Sequence, residues 1–231
     1  MVKALQYKTF GKPDVLQLVD LPLVHPKADE VSIKVSHVGL NPMDWAIMGN
    51  PEVAPNFGVK LPQTFAYDFA GIIDEIGPEV TDFKVGDHVF GTTMRGAATE
   101  QLIFSTKERG LFHRPDFVED DVTSTLAVAG HTAAVALRKA HVTAGDTLLV
   151  GGAAGGVGIF TVQLAQILGA KAVSYTHLDV YKRQHRDCSC CNKQSVEHIC
   201  SKHLTFHQFS DKVLTLWCFL RCSNYQSYKG H

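Results

Sequence analysis

The sequence predicts a mixed α/β protein, in which a β-barrel domain is followed by the beginning of a doubly wound parallel-sheet domain. Three observations support this prediction. Short segments of alternating apolar residues, separated by proline and glycine, fill residues 1–121. The apolar spacing then becomes helical over 122–139. Residues 147–168 follow as an apolar run, a glycine-rich turn and an apolar helical segment, which is the order that opens a nucleotide-binding sheet.

Charge and composition exclude two classes of partner. The 231 residues carry 22 Lys and Arg against 23 Asp and Glu, a formal net charge of −1. No basic field therefore attracts nucleic acid or an anionic membrane. Lys3 interrupts the N-terminus before an apolar run of signal-peptide length can develop, so we expect a cytoplasmic protein. The uncharged stretch between Asp146 and Lys171 contains too many glycines for a membrane helix, so we expect a buried strand and helix there.

The composition changes abruptly near residue 173. All six cysteines lie beyond residue 187, whereas all nine prolines lie before residue 174. From the first base of codon 173 to the first base of codon 184, the chain can be encoded by a DNA string that is its own reverse complement, and selection on protein structure gives no reason for such a palindrome. The segment resembles two transposase mosaic-end adapters joined head to head and translated. We therefore interpret residues 173–231 as an artefactual, non-native tail and exclude them from fold reasoning.

A glycine-rich turn follows the apolar run at 147–150. Its spacing is Ala153-x-Gly155-x-x-Gly158. In such a turn the backbone N–H groups and the positive end of the next helix meet at one point, where a pyrophosphate binds. Small residues at 153 and 155 permit the tight turn and the approach of the phosphate, and Gly158 permits close packing of helix and strand. A glycine-rich helix packing site is the alternative. The predicted cofactor-binding residues of the turn are Ala153, Ala154, Gly155, Gly156, Val157 and Gly158.

Four further motifs precede this turn, in order. They are Gly39-x-Asn41-Pro42-x-Asp44-Trp45, Asp68-Phe69-Ala70-Gly71, Gly86-Asp87-His88-Val89 and Gly130-His131-Thr132-Ala133. Together with the turn they resemble the medium-chain dehydrogenase/reductase superfamily, particularly its zinc-independent quinone oxidoreductase-like branch, over residues 1–172. The resemblance implies a GroES-like catalytic domain over 1–121 and the N-terminal fragment of an NAD(P)-binding Rossmann domain over 122–172. It also implies hydride transfer from NAD(P)H to a quinone or an α,β-unsaturated carbonyl.

The resemblance also bears on zinc. Zinc-dependent members place a cysteine ligand where this chain has Asn41, and a His-Glu pair where it has Tyr67-Asp68. Residues 1–172 contain no cysteine, so neither the catalytic nor the four-cysteine structural zinc site can be built from them. The expected chemistry is therefore hydride delivery to a conjugated acceptor, whose developing oxyanion needs only hydrogen-bond donors or water. We expect no metal in this part of the chain.

The same resemblance implies roles for three polar residues. Asn41 and Asp44 are the expected catalytic residues, with Asn41 lining the nicotinamide or acceptor cleft, and Thr132 is expected near the nicotinamide of NADPH, with NADH left open. Ordinary structural roles are the alternatives, because Asn suits the turn before Pro42, Asp suits a helix N-terminus and Thr132 can be a simple helix residue. Ala46 stands where many quinone reductases have a tyrosine, which puts quinone as the substrate in doubt.

The remaining expectations concern partners and rival functions. We expect a small-molecule substrate, a homo-oligomeric full-length parent, and an inactive chain here because the Rossmann part is incomplete. One rival is a non-catalytic, crystallin-like or interaction protein on the same fold. The other is a zinc-binding protein that uses tail residues Cys188, Cys190, Cys191, His198, Cys200 and His203.

Overall fold

The computed structural model describes residues 1–174 and the strand at 213–216. The chain divides into two compact units, Met1–His131 and Thr132–His231. We call them the first and the second unit and describe each by itself.

The first unit consists of strands and short helices, and burial alternates along the strands His88–Thr92 and Gln101–Ser105. Single-turn 3-10 helices occupy Pro13–Val15 and Ala54–Phe57. The other elements are β1 (Val2–Tyr7), β2 (Leu16–Leu21), β3 (Glu30–Gly39), α1 (Pro42–Met48), β4 (Gln63–Thr64), β5 (Asp68–Ile76), β6 (His88–Thr92), β7 (Gln101–Ser105), β8 (Leu111–His113) and α2 (Asp120–Thr123).

Two antiparallel sheets organise this unit. The larger has the strand order β7-β3-β5-β6-β8, and the smaller has the order β2-β1-β4. The apolar side chains of the larger sheet meet in one core, and burying each large side chain contributes roughly 1.5–3 kcal/mol. The core of fully or almost fully buried side chains contains Val31, Ile33, Phe69, Ile73, Val89, Leu102 and Phe104.

The second unit contains a short parallel sheet and helices. Helix α3 (Ala127–Lys139) begins in the first unit and supplies most of its length to the second. It is followed by β9 (Thr147–Val150), α4 (Gly156–Ile167), β10 (Lys171–Ser174) and β11 (Val213–Leu216). Strands β10 and β11 both pair in parallel with β9, which gives the order β10-β9-β11. The predicted mixed α/β class, with a strand, a glycine turn and a helix in that order, is confirmed.

Two boundaries differ from the prediction. The segment 122–139 is not one helix, because residues 124–126 form a turn between α2 and α3. Helix α4 begins at Gly156, three residues earlier than expected. The glycine turn thus enters the helix sooner, which brings more of its backbone N–H groups to the helix N-terminus.

The predicted tail falls mostly outside the described residues. Its first two residues, Val173 and Ser174, belong to β10, and β11 pairs with β9. Its cysteines and histidines lie outside the described residues, so the interpretation of the tail and its metal alternative stay predictions. The first compact unit extends past the expected boundary at residue 121, to His131. Within the described part of the chain, no helix has the length and apolar character needed to cross a membrane.

Candidate functional site

The glycine turn joins the end of β9 to the start of α4. Gly152 adopts the left-handed backbone conformation, with φ of +73°, which favours glycine. The N–H of Gly155 donates a 2.9 Å hydrogen bond to the carbonyl of Gly152 and closes the turn. Gly155 itself is the extended N-cap residue of α4, and its carbonyl accepts the N–H of Ile159 at 2.9 Å. The next N–H groups therefore stand at the positive end of a 12-residue helix.

Two glycines of this turn differ in what surrounds them. A Cβ added at Gly158 would lie 2.2 Å from the carbonyl oxygen of Gly152 and 2.7 Å from the Cα of Ala153. A Cβ added at Gly155 would meet only that oxygen, at 3.3 Å. Gly158 is buried, whereas Gly155 is exposed. Gly158 thus permits the helix to contact the turn, while Gly155 leaves open surface at the helix N-terminus.

The other predicted cofactor residues differ in their exposure. Ala154 and Gly156 are exposed, and Ala153 and Val157 are half-buried. Thr132 is exposed on α3. The turn residues are consecutive and lead into α4, whereas Thr132 belongs to α3.

In the first unit, Asn41 and Asp44 begin helix α1. Asn41 is the N-cap residue, Pro42 takes the first helical position, and Asp44 completes a capping box. The Oδ2 atom of Asp44 accepts a 2.6 Å hydrogen bond from the backbone N–H of Asn41. Both residues are buried, and Asp44 Oδ1 has no hydrogen-bond partner. The contact that Asp44 makes is therefore the helix-capping one.

The side chain of Asn41 is held by the carboxylate of Asp68, which was not among the predicted site residues. Asn41 Nδ2 donates a 3.0 Å hydrogen bond to Oδ2 of Asp68, which is fully buried at the first position of β5. The backbone N–H of Val128 also approaches Asp68, at 3.0 Å from Oδ2 and 3.2 Å from Oδ1. The motif that contains Asp68 was recognised from the sequence, but the link to α3 spans 60 residues and leaves no local signal.

Burial governs the electrostatics of this polar cluster. It raises the pKa of Asp44 to about 6, against a hydrogen bond from Asn41 that lowers it, and the nearby charge of Asp68 raises it further. Burial likewise raises the pKa of the Asp68 carboxyl and of the phenols of Tyr7 and Tyr67. Asp44 is thus ionised at neutral pH but takes up a proton in mildly acidic solution.

A second polar cluster lies at the start of α2, and sequence reasoning missed it. Asp120 forms an ion pair with Arg114, with 3.0 Å between Oδ1 and Nε, and accepts a 2.7 Å hydrogen bond at Oδ2 from Ser36 Oγ. Together with His37, His88 and two neighbouring acids, Arg114 and Asp120 line a cleft of about 330 Å³. These contacts tie α2 to strand β3.

The positions at which the resemblance places the ligands of zinc-dependent members carry side chains that are already engaged or buried. Asn41 and Asp68 are hydrogen-bonded to each other, and Tyr67 is almost completely buried. Among residues 1–174 and 213–216, no group of three or more His, Cys, Asp or Glu side chains could hold a metal ion. The donor set in this region consists of hydrogen-bonded carboxylates, an amide and phenols.

Comparisons with known proteins find relatives of this chain. The alcohol dehydrogenase GroES-like domain family matches residues 27–114. The quinone oxidoreductase of Pseudomonas aeruginosa is 33% identical over 175 residues, which cover 75% of this chain and 52% of that protein. The solved quinone oxidoreductase of Coxiella burnetii is 28% identical with a TM-score of 0.69, over 87% of this chain and 65% of that one. A mycobacterial structure complexed with NADPH is 29% identical with a TM-score of 0.65, over 75% of this chain and 52% of that one.

These matches and the strand-turn-helix unit point to one class of protein. They support the medium-chain dehydrogenase/reductase superfamily. Within that superfamily they support the quinone oxidoreductase-like branch. The chain spans about half the length of the curated relatives that it matches.

Proposed function

We propose that the full-length parent of this chain is a zinc-independent, NADPH-dependent oxidoreductase that transfers a hydride to a quinone or an α,β-unsaturated carbonyl. The observation that carries the proposal is the open backbone at Gly155 beside the close-packed Gly158, at the N-terminus of α4. Relatives named quinone oxidoreductase support the class of reaction.

The cofactor site would consist mainly of backbone. The N–H groups of residues 153–158 would hold the pyrophosphate, which favours the positive end of a helix. The nicotinamide, when bound, supplies the hydride. Thr132 is the proposed neighbour of that ring. NADPH is the preferred cofactor of the proposal, and the NADPH complex of a 29% identical mycobacterial protein supports it.

Asn41 is the proposed acceptor-facing residue. Hydride addition to a conjugated carbonyl or quinone leaves negative charge on the acceptor oxygen, which hydrogen-bond donors or water must stabilise before a proton arrives. One N–H of the Asn41 amide is bonded to Asp68, and the amide nitrogen has a second N–H. Asp44 completes the proposed catalytic pair by holding the backbone of Asn41 in place.

The donor set supports a proposed reaction without zinc. A metal at this position would have to displace the hydrogen bond between Asn41 and Asp68, because both side chains are already engaged there. The proposed full-length enzyme is cytoplasmic and homo-oligomeric. The 231-residue chain, with its tail interpreted as an artefact, is proposed to be inactive.

The decisive experiment restores the natural reading frame past codon 172 and measures NADPH binding and turnover with a quinone and an enone. Gly155→Val should weaken NADPH binding by about 2–4 kcal/mol, because its side chain occupies the proposed phosphate surface. The melting temperature should change little, since Gly155 has extended backbone and a single close neighbour. Unchanged NADPH affinity in a folded variant would overturn the phosphate assignment. The two acceptors test the doubt that Ala46 raises about quinone.

A further inference from the structure

We propose that Asp68 is a positioning residue, whose single carboxylate fixes both the side chain of Asn41 and the first turn of helix α3. The proposal rests on the proposed function only for the roles of Asn41 and Thr132. The geometry itself belongs to the first unit and is independent of catalysis.

The carboxylate of Asp68 is shared between two distant parts of the chain. Its Oδ2 atom lies 3.0 Å from Asn41 Nδ2 and 3.0 Å from the backbone nitrogen of Val128. Asp68 has no solvent-exposed surface, so water does not compete with these donors. Hydrogen bonds to a buried carboxylate are stronger than those between neutral groups. A change at Asn41 must therefore alter the bond to Val128, and the reverse also holds.

The bond to Val128 caps α3 from outside its own sequence. Val128 is the second residue of α3, where backbone N–H groups have no partner within the helix. A carboxylate at this end also complements the positive helix terminus. Thr132 follows Val128 by four residues, which is about one helical turn along the same face. The residue that orients Asn41 thus also caps the first turn of α3.

The shared oxygen restricts how Asn41 can be oriented. The amide must turn its nitrogen toward Asp68, because its carbonyl oxygen would meet a carboxylate oxygen at 3.0 Å. The carbonyl end of Asn41 consequently points away from Asp68. Asp68 therefore fixes the amide in the orientation that keeps the second N–H of Asn41 as a donor for another partner, without being required to touch a substrate itself.

An exchange of the two side chains tests this proposal in the 231-residue protein. Asn41→Asp alone places two carboxylates against each other and should lower the melting temperature. Asp68→Asn alone weakens both bonds, because a neutral amide oxygen replaces a charged one. In the double variant, the amide nitrogen now at position 68 can donate to the carboxylate now at position 41. Val128 loses its acceptor at 3.0 Å and keeps only the amide oxygen that replaces Oδ1 at 3.2 Å. The double variant should therefore lose less melting temperature than the sum of the two single variants, because the bond between positions 41 and 68 is restored.

Nuclear magnetic resonance on labelled protein follows Asn41 and Val128 separately. It therefore distinguishes a shared carboxylate from a general loss of stability. In Asp68→Asn, the side-chain amide signal of Asn41 and the backbone amide signal of Val128 should both shift, and exchange at Val128 should accelerate about tenfold or more. Asp44→Asn is the matched control, because its carboxylate contacts only the backbone N–H of Asn41 among these groups. It should leave the Val128 signal in place.

Two results would overturn the proposal. One is a shift at Val128 in folded Asp68→Asn with the Asn41 side-chain signal unchanged, which would make Asp68 a helix cap alone. The other is a double variant whose loss equals the sum of the two single losses, which would show no coupling between positions 41 and 68. Neither result bears on NADPH binding at the glycine turn, so the proposed function is tested separately.

Discussion

The polar cluster of the first unit and the glycine turn of the second unit place functional groups by opposite means. In the cluster, buried side chains hold one another, as Asn41, Asp44 and Asp68 do through hydrogen bonds of 2.6–3.0 Å. In the turn, exposed backbone carries the chemistry, and glycine keeps side chains away from it. The cluster should therefore respond to changes of charge and pH, and the turn to changes of volume.

The largest effect is expected in the turn, from Gly158→Ala. The added Cβ would lie 2.2 Å from a backbone oxygen, so the turn must move away from α4. The second unit should lose about 3 kcal/mol of unfolding free energy. Gly155→Ala is the matched control and should change stability by about 0.5 kcal/mol or less. Chemical denaturation of both variants checks this. Equal losses would show that the two glycines do not have separate roles.

A smaller effect, visible only as a pH dependence, is expected in the cluster from Asp44→Asn. The pKa of Asp44 is raised to about 6 in the folded protein, so its contribution to stability is greatest below the ordinary pKa of about 4 and is lost as pH rises through 6. Between pH 4 and pH 7 the variant should gain roughly 2–3 kcal/mol relative to the parent chain. Denaturation curves across this range provide the measurement. Parallel curves for the two proteins would contradict the assignment.

We expect residues 1–172 to bind no zinc, because the side chains at the expected ligand positions are hydrogen-bonded or buried. Replacing all six cysteines by serine removes the tail alternative while leaving residues 1–172 unchanged. Elemental analysis of that variant should find no stoichiometric zinc. One zinc per chain would mean that side chains other than the six cysteines hold a metal, which would contradict this expectation.

Local patterns predicted the local elements. The apolar run of β9, the alternation in β3 and the glycine spacing before α4 depend on neighbouring residues, and each corresponds to an observed element. The capping box of α1 was also open to prediction, since Asn41, Pro42 and Asp44 lie within four consecutive positions.

What the sequence did not reveal depends on contacts between distant residues. The break between α2 and α3 coincides with a helix start that Asp68 caps from 60 residues away. The residues of 122–139 do not predict that contact, because their apolar spacing is helical throughout the segment. The pairing of Ser36 with Asp120 spans 84 residues and was equally hidden. Such contacts arise from the path of the chain through the sheet.

The shared carboxylate of Asp68 has a consequence for how this branch can evolve. The resemblance places a cysteine of zinc-dependent enzymes at the position of Asn41. Substituting cysteine there removes the amide that Asp68 Oδ2 binds and offers only a weak S–H donor in its place. A first substitution toward a metal ligand at position 41 therefore destabilises the protein before any ligand set is complete. Positions 41 and 68 have to change together, so the hydrogen bond between their side chains opposes the stepwise gain of a metal site.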